Sequence, residues 1–395
     1  MYLSTNFKLS MDLFIQISQF ILSLSLLIIL HELGHFIPAK LFKTKVEKFY
    51  LFFDWPFSLI KKKIGETEYG VGLLPLGGYV KIAGMIDESM DKEQLKSEPK
   101  DWEFRSKPTW QRLIIMVGGV TVNLILGFVI YSMMLFVWGE AYISNEKLKY
   151  GAHLSNPIYE SYGFKEGDLI IEVGAEKIIE FGTAEKRILI DGERNIKVKR
   201  GDKIVPIVLS ENIVEELLKN KGQGIFSNYR YYNIVDSVFK GSNAEIAGLI
   251  KGDSIIGIDN KSTPFLNDFK NEIKKYKSKK IKLSIIRNGE LKIINASTDE
   301  NSMLGFMNVN DVFEFKEFSF IESIPAGILK GTKTLSNYVK SLSLLFNKEG
   351  AKQIGGFGSI GSLFSKNWNW IIFWKMTALL SIILAFMNIL PNTQL

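Results

Sequence analysis

The chain has 395 residues, 46% hydrophobic and 23% charged, enough for two or three domains with a sizeable core and incompatible with disorder or a fibrous repeat. It contains no cysteine, which excludes a disulfide framework, a zinc finger and a thiol nucleophile and leaves any metal to carboxylates and three histidines, His31, His35 and His153. The net charge of +7 comes without a long basic block, so nucleic acid is not an expected partner; a mean hydropathy of +0.09 beside 49 Lys+Arg and 42 Asp+Glu implies apolar residues concentrated in a few segments.

The first such segment, Leu13 to Leu30, carries no charge for 18 residues and nearly crosses a hydrocarbon core of about 30 Å at about 1.5 Å per residue. Only Lys8 precedes it and no small-x-small cleavage site follows, so it reads as the core of a first transmembrane helix over 1–38 and not as a removable signal peptide. At its C-terminal end stands His31-Glu32-Leu33-Gly34-His35, an HExxH motif. On a helix the i, i+4 spacing stacks both imidazoles on one face, where they can share a metal while Glu32 addresses its water. Ionisable residues in a lipid-length apolar helix are costly unless paired, which marks them as functional. The residues after His35 lack the further glycine and histidine of the extended soluble zincin motif.

A loop over 39–112 follows, rich in lysine (Lys40, Lys43, Lys45, Lys48 and Lys61 to Lys63) and ending at Arg112; by the positive-inside rule it is cytoplasmic and the N-terminus lies outside. The second expected span is 113–138, 26 uncharged residues closed by Trp138. The polar insert beyond it, on the outer side by the same rule, contains a repeat: Gly163-Phe-Lys-Glu-Gly167-Asp168-Leu-Ile-Ile171 aligns with Gly248-Leu-Ile-Lys-Gly252-Asp253-Ser-Ile-Ile256. Strand-like stretches follow each copy, Ile196 to Val208 and Ile281 to Ile294, the second with a hairpin signal at Asn288-Gly289. Two β-rich domains, 139–222 and 223–312, are therefore expected. Their glycine-aspartate turns and the run Ser242 to Leu249 look like PDZ domains, which capture peptide termini or extended segments by strand addition; a pair of plain β-sandwich spacers is the alternative. Residues 313–368 form a linker, helical and amphipathic over 318–347, and 369–395 a third span, with Lys375 able to snorkel. The fold class is thus a multi-pass α-helical membrane protein with two inserted β-rich, PDZ-like domains.

Taken together these features resemble the site-2 protease family of intramembrane zinc metalloproteases, in its bacterial RseP-like branch with two PDZ domains. The resemblance covers nearly the whole chain. It rests on His31 to Phe36, Pro75-Leu-Gly77-Gly78-Tyr79-Val-Lys81, Trp110-Gln-Arg112 leading to Gly118-Gly119-Val-Thr-Val-Asn123, the PDZ pair, Gly355 to Ile360, and Asn388-Ile-Leu-Pro391. Two departures stand out. The family's Gly-Pro in the second span is Gly119-Val120 here, and its third ligand, an aspartate in a Leu-Asp-Gly stretch followed by a fourth helix, would fall beyond Leu395.

The resemblance implies Zn2+ held by His31 and His35 with Glu32 as catalytic base, Asn388 near the metal as a donor to substrate, and Gly77-Gly78 in a membrane-associated β segment that pairs with unwound substrate. It implies single-span membrane proteins as substrates, anti-sigma factors or remnant signal peptides, in the bacterial inner membrane, with the PDZ domains outside the cytoplasm and acting as a size filter. Two other readings stay open: a PDZ scaffold anchored in the bilayer that cuts nothing because a ligand is missing, and a PDZ-bearing receptor with a chance HExxH.

Overall fold

The computed structural model describes residues 2–85, 98–154, 156, 158–219, 228–309, 311–342 and 360–389. The chain divides into two compact units, one of residues 1–140, 317–344 and 353–395, the other of residues 141–316 and 345–352.

The first unit opens with α1 (Tyr2–Leu41), which carries the apolar stretch and runs on unbroken through the HExxH motif. The motif therefore lies inside the candidate membrane span Met11–Leu41. Pro38 sits in the last turns and has no N–H to give the Gly34 carbonyl four residues earlier. The helix stops where Lys43 turns to φ 55° and Thr44 N–H reaches back to the Ala39 carbonyl at 2.8 Å.

Two long strands follow, β1 (Val46–Ile64) and β2 (Thr67–Ile82), folded into an irregular hairpin. Lys48 to Leu51 have partners on both sides, Gly78 to Lys81 and Glu68 to Val71, while Ile60 to Ile64 pair back on Val71 to Thr67. The hairpin packs on α1 through Phe36 and Phe49, ring centres 5.3 Å apart. Next comes α2 (Thr109–Trp138), started after Pro108 and ended by Gly139 at φ 64°.

In the second unit the repeat reappears as geometry. The first copy has β3 (Leu169–Val173), β4 (Glu176–Lys177), α3 (Phe181–Leu189), β5 (Asn195–Arg200) and β6 (Lys203–Val208), in sheet order β4-β3-β5-β6. The second has β7 (Ser254–Ile258), β8 (Lys261–Ser262), α4 (Leu266–Ile273), β9 (Lys280–Arg287) and β10 (Glu290–Ser297), in the same order β8-β7-β9-β10. Alternation sets the register: along β5, Ile196 and Val198 are buried while Asn195 and Lys197 face out. The expected Asn288-Gly289 turn joins β9 to β10 with both residues at positive φ, 53° and 81°, as a two-residue hairpin of this hand requires.

The aspartate of each G-x-x-x-G-D turn is buried and gripped by an arginine from the end of the third strand of its sheet. Arg200 donates to Asp168 through Nε and Nη2 at 2.8 and 2.7 Å, and Arg287 to Asp253 through the same atoms at 2.7 Å each. In each copy Nη2 also caps the carbonyl of the first glycine, Gly163 or Gly248, at 2.7 Å.

The chain then returns to the first unit as α5 (Phe320–Leu342) and α6 (Trp370–Met387). The expected amphipathic helix is present as α5. It lies along α2, with Gly327 against Ser132, Gly331 against the Phe128 ring, and Phe320 beside Phe136 at 5.7 Å. α6 is capped by Asn369, whose side chain accepts from Ile372 N–H at 3.0 Å. Among the described residues three helices are long and apolar enough to cross a membrane: Met11–Leu41 of α1, α2 and α6. Lipid gives apolar helices no hydrophobic reason to associate, so small residues and hydrogen bonds do that work. Ser23 and Thr377 meet at 2.8 Å between α1 and α6, and Ser381 of α6 donates to the Asn123 carbonyl of α2 at 2.6 Å, all in buried positions.

Candidate metal centre

His31 and His35 face each other on α1 with Nε2 atoms 3.2 Å apart and ring planes inclined at 78°. Their outer nitrogens are both engaged by α2. His35 Nδ1 lies 2.7 Å from the Ile115 carbonyl, and His31 Nδ1 lies 3.1 Å from the side-chain amide of Asn123. Ile115, Gly119 and Asn123 are spaced by four on α2 and so form one stripe, and Gly119, the middle member, stands opposite the rings. A Cβ at Gly119 would come within 2.7 Å of His31 Nε2. One turn away, a Cβ on Gly34 would meet the Gly118 carbonyl oxygen at 2.5 Å, so the motif's own glycine lets the two backbones touch. The carbonyl of Gly34, to which Pro38 has no N–H to donate, faces this contact.

The donor set fits a divalent metal of borderline softness: two imidazole nitrogens converge on one point, and the opposite nitrogen of each ring is held by a protein group, the arrangement that fixes ligand tautomer in metal centres. Glu32, half-buried, follows His31 and lies three residues before His35, the spacing that makes side chains neighbours on a helix surface. Among the described residues no group of three His, Asp or Glu side chains gathers as a ready metal site.

The other residues singled out from the sequence lie as follows. Gly78 is in β2 opposite Leu51, and a Cβ there would meet Ile28 Cγ2 at 2.5 Å, so the strand reaches α1 one turn before His31. Gly77 is covered by the Phe53 ring, which a Cβ would meet at 2.6 Å. Asn388 is the exposed C-cap residue of α6, its N–H on the Leu384 carbonyl at 3.0 Å, and it hydrogen-bonds neither histidine. Gly355 to Ser359 and Leu390 to Leu395, with Pro391, lie outside the described residues. His153 belongs to the second unit, paired with Glu166 at 2.8 Å.

In the sequence Gly118, Gly119 and Asn123 stand only as points of resemblance with no assigned task, and nothing marks Ile115 or Ser381. A signal for Asn123 existed: it is the only carboxamide in the 26 residues of the second span, and a polar residue at that depth calls for a partner.

An HExxH pair inside an apolar helix, packed on a glycine-lined neighbour, is a metallopeptidase-type centre built among candidate membrane helices. The chain belongs to Peptidase family M50, whose model matches residues 19–395. Among its relatives are proteins named, provisionally, as zinc metalloproteases. One from Borreliella burgdorferi is 28% identical over 388 residues, covering 93% of this chain and 84% of the relative. One from Neisseria meningitidis is 28% identical over 278 residues, 69% of this chain and 60% of the relative. A third, from Helicobacter pylori, is 30% identical over 236 residues, 56% of this chain and 63% of the relative. The chain thus spans less than two thirds of the second and third relatives.

Proposed function

We propose that this protein is a zinc metalloprotease that hydrolyses peptide bonds within the membrane-spanning segments of single-span proteins. The observation that carries the reading is the convergence of His31 and His35 Nε2 at 3.2 Å inside an apolar helix, in a chain of Peptidase family M50. His31 and His35 hold the zinc. When bound, zinc polarises the scissile carbonyl and lowers the pKa of water from about 15.7 to about 7. Glu32 takes a proton from the attacking water as its oxygen bonds to the carbonyl carbon, then delivers that proton to the departing amide nitrogen as the C–N bond breaks.

A helical substrate hides its carbonyls in internal hydrogen bonds, and exposing them in lipid costs several kcal/mol each. Strand addition to β2 supplies substitute partners: among the described residues, Gly78 to Ile82 pair only with β1, and Gly78 lies against α1 beside the motif. Substrate helices weakened by Gly, Pro or polar residues are therefore favoured. The two repeats of the second unit act in this reading as PDZ-type domains outside the cytoplasm that admit substrates already trimmed by another protease.

The test is cleavage of a single-span reporter in proteoliposomes with and without a helix-breaking residue in its span; equal rates for both would remove the unwinding step. Topology is tested separately: the chain has no cysteine, so a single one at Lys62 or Asn260 reports alone, and the two positions must be labelled from opposite sides of the membrane. Labelling from one side would overturn the orientation and the filter.

A further inference from the structure

We infer that the second repeat carries a docking site for an acidic amphipathic helix of another protein, on the face between the helical turn Asn243–Ile246 and the end of β10. The inference is independent of the metal centre and rests on comparing the two repeats with each other.

The alignment of Gly163 with Gly248 makes Ser161 and Tyr162 the counterparts of Ile246 and Ala247. The matching hairpin ends, Arg200 opposite Lys203 and Arg287 opposite Glu290, make Leu209 the counterpart of Ala296. In the first repeat a further helix, Ile213–Lys219, follows β6 and closes this face. Its Ile213 and Leu217, four apart and so on one side, are buried in the same core as Tyr159 and Phe164. The Tyr162 hydroxyl ties the helix down by donating to Glu216 at 2.7 Å. The segment is acidic, with Glu211, Glu215 and Glu216, and Glu211 lies 3.6 Å from Arg194.

The second repeat has no such helix: after Ser297 the chain turns through 298–305 straight into the strand Phe306–Asn308. The corresponding face holds a cavity of about 630 Å³ over the buried Ile281 and Ala296. The side chains that could fill it from within are small, Ala247 where the first repeat has Tyr162 and Ala296 where it has Leu209. Ile246 lines the cavity and is 79% exposed, an apolar group in the place of Ser161.

Charge chooses the occupant. Lys280 and Lys282 line the cavity, and among the described residues neither pairs with a carboxylate side chain. The run leading into β9 adds the exposed Lys274, Lys277 and Lys279. The lining carboxylate, Asp259, is turned to the Lys282 N–H at 2.9 Å. An apolar floor with a basic rim suits a helix that presents two apolar side chains one turn apart and flanks them with carboxylates, the chemistry that Ile213–Lys219 brings to the first repeat.

The experiment uses the full chain purified in a zwitterionic detergent. The probe is a fluorescein-labelled peptide of residues 210–219. It is too short to be helical alone, so a hydrocarbon staple joins positions 215 and 219, on the far side from Ile213 and Leu217. Fluorescence anisotropy is expected to show saturable binding that is lost when the peptide's Ile213 and Leu217 are replaced by alanine. Lys280→Glu combined with Lys282→Glu should weaken binding about 10-fold or more. Ala247→Tyr, which fills the cavity with the first repeat's residue, should abolish it. Because the chain has no cysteine, Asn295→Cys on the cavity lining should trap a cysteine-bearing probe as a disulfide, while Asp202→Cys in the first repeat's hairpin turn should not.

The site is overturned if the probe shows no saturable binding, or if neither the lysine reversals nor Ala247→Tyr weakens it. Should Ala247→Tyr not fold, the lysine reversals and the Asn295 trap decide. Displacement of the probe by phosphatidylglycerol but not phosphatidylcholine would give the face to lipid headgroups. A wild-type dimer that the lysine reversals dissociate would give it to a second copy. Either result overturns the proposal.

Discussion

Gly119 of α2 faces His31 of α1 with no space for a side chain between them, the closest approach of a Cβ to His31 Nε2 being 2.7 Å. The placement of both imidazoles thus depends on a hydrogen atom where any other residue has a carbon.

Gly119→Ala is accordingly expected to push the histidines apart. Displacing reacting groups by about 1 Å costs on the order of 100-fold in rate, and overpacking a tight contact about 1–3 kcal/mol in stability. Gly182→Ala is the control: in α3 it has nothing within 4 Å of its Cβ, and alanine favours a helix. Reporter cleavage and thermal unfolding of both variants check this, and a Gly119→Ala enzyme as active as Gly182→Ala would contradict the packing argument.

Glu32→Gln keeps the shape of the side chain and removes its basicity. Zinc content should stay at the wild-type level while turnover falls about 100- to 10,000-fold, the span attributed to a positioned general base. Metal analysis and cleavage on the same preparation separate the two effects; undiminished turnover would take Glu32 out of the base role.

Chelation of zinc is expected to abolish cleavage, and added zinc to restore it, without loss of folded structure in the second unit, whose cores around Ile170 and Ile255 are apolar and where no group of three metal-ligating side chains gathers among the described residues. Circular dichroism alongside the cleavage assay follows both. Cleavage that persists in excess chelator, with zinc verified as removed, would rule out the metal mechanism.

The Asp253–Arg287 pair gives the second unit a pH dependence of definite sign. Burial pushes the Asp253 carboxyl up, but the Arg287 guanidinium and the Ile250 N–H outweigh it and hold the group below its ordinary 3.8. A carboxyl depressed in the folded state stabilises fully above that ordinary value and loses the contribution as pH falls below it. Arg287→Ala strands the charge and should cost on the order of 3 kcal/mol at pH 7. Between pH 7 and pH 3 the gap in unfolding temperature between wild type and variant should narrow; a constant gap would mean that the pair contributes by packing alone.

Much of this protein was legible along the chain because the signals are local. Apolar runs at Leu13–Leu30, 113–138 and 369–395 marked the three candidate spans, the i, i+4 spacing put His31 and His35 on one helix face, and the repeated G-x-x-x-G-D turn announced two sheets that share one strand order. The partners were not legible. Ile115 and Asn123 meet the histidines across 80 and 92 residues, and Arg200 and Arg287 reach their aspartates across 32 and 34, separations at which no periodicity survives. Sequence determined which residues could do chemistry; the packing of α1 on α2, permitted by Gly34, Gly118 and Gly119, decided how the two imidazoles are aimed, because a glycine reveals what it makes room for only when the neighbouring backbone is in place.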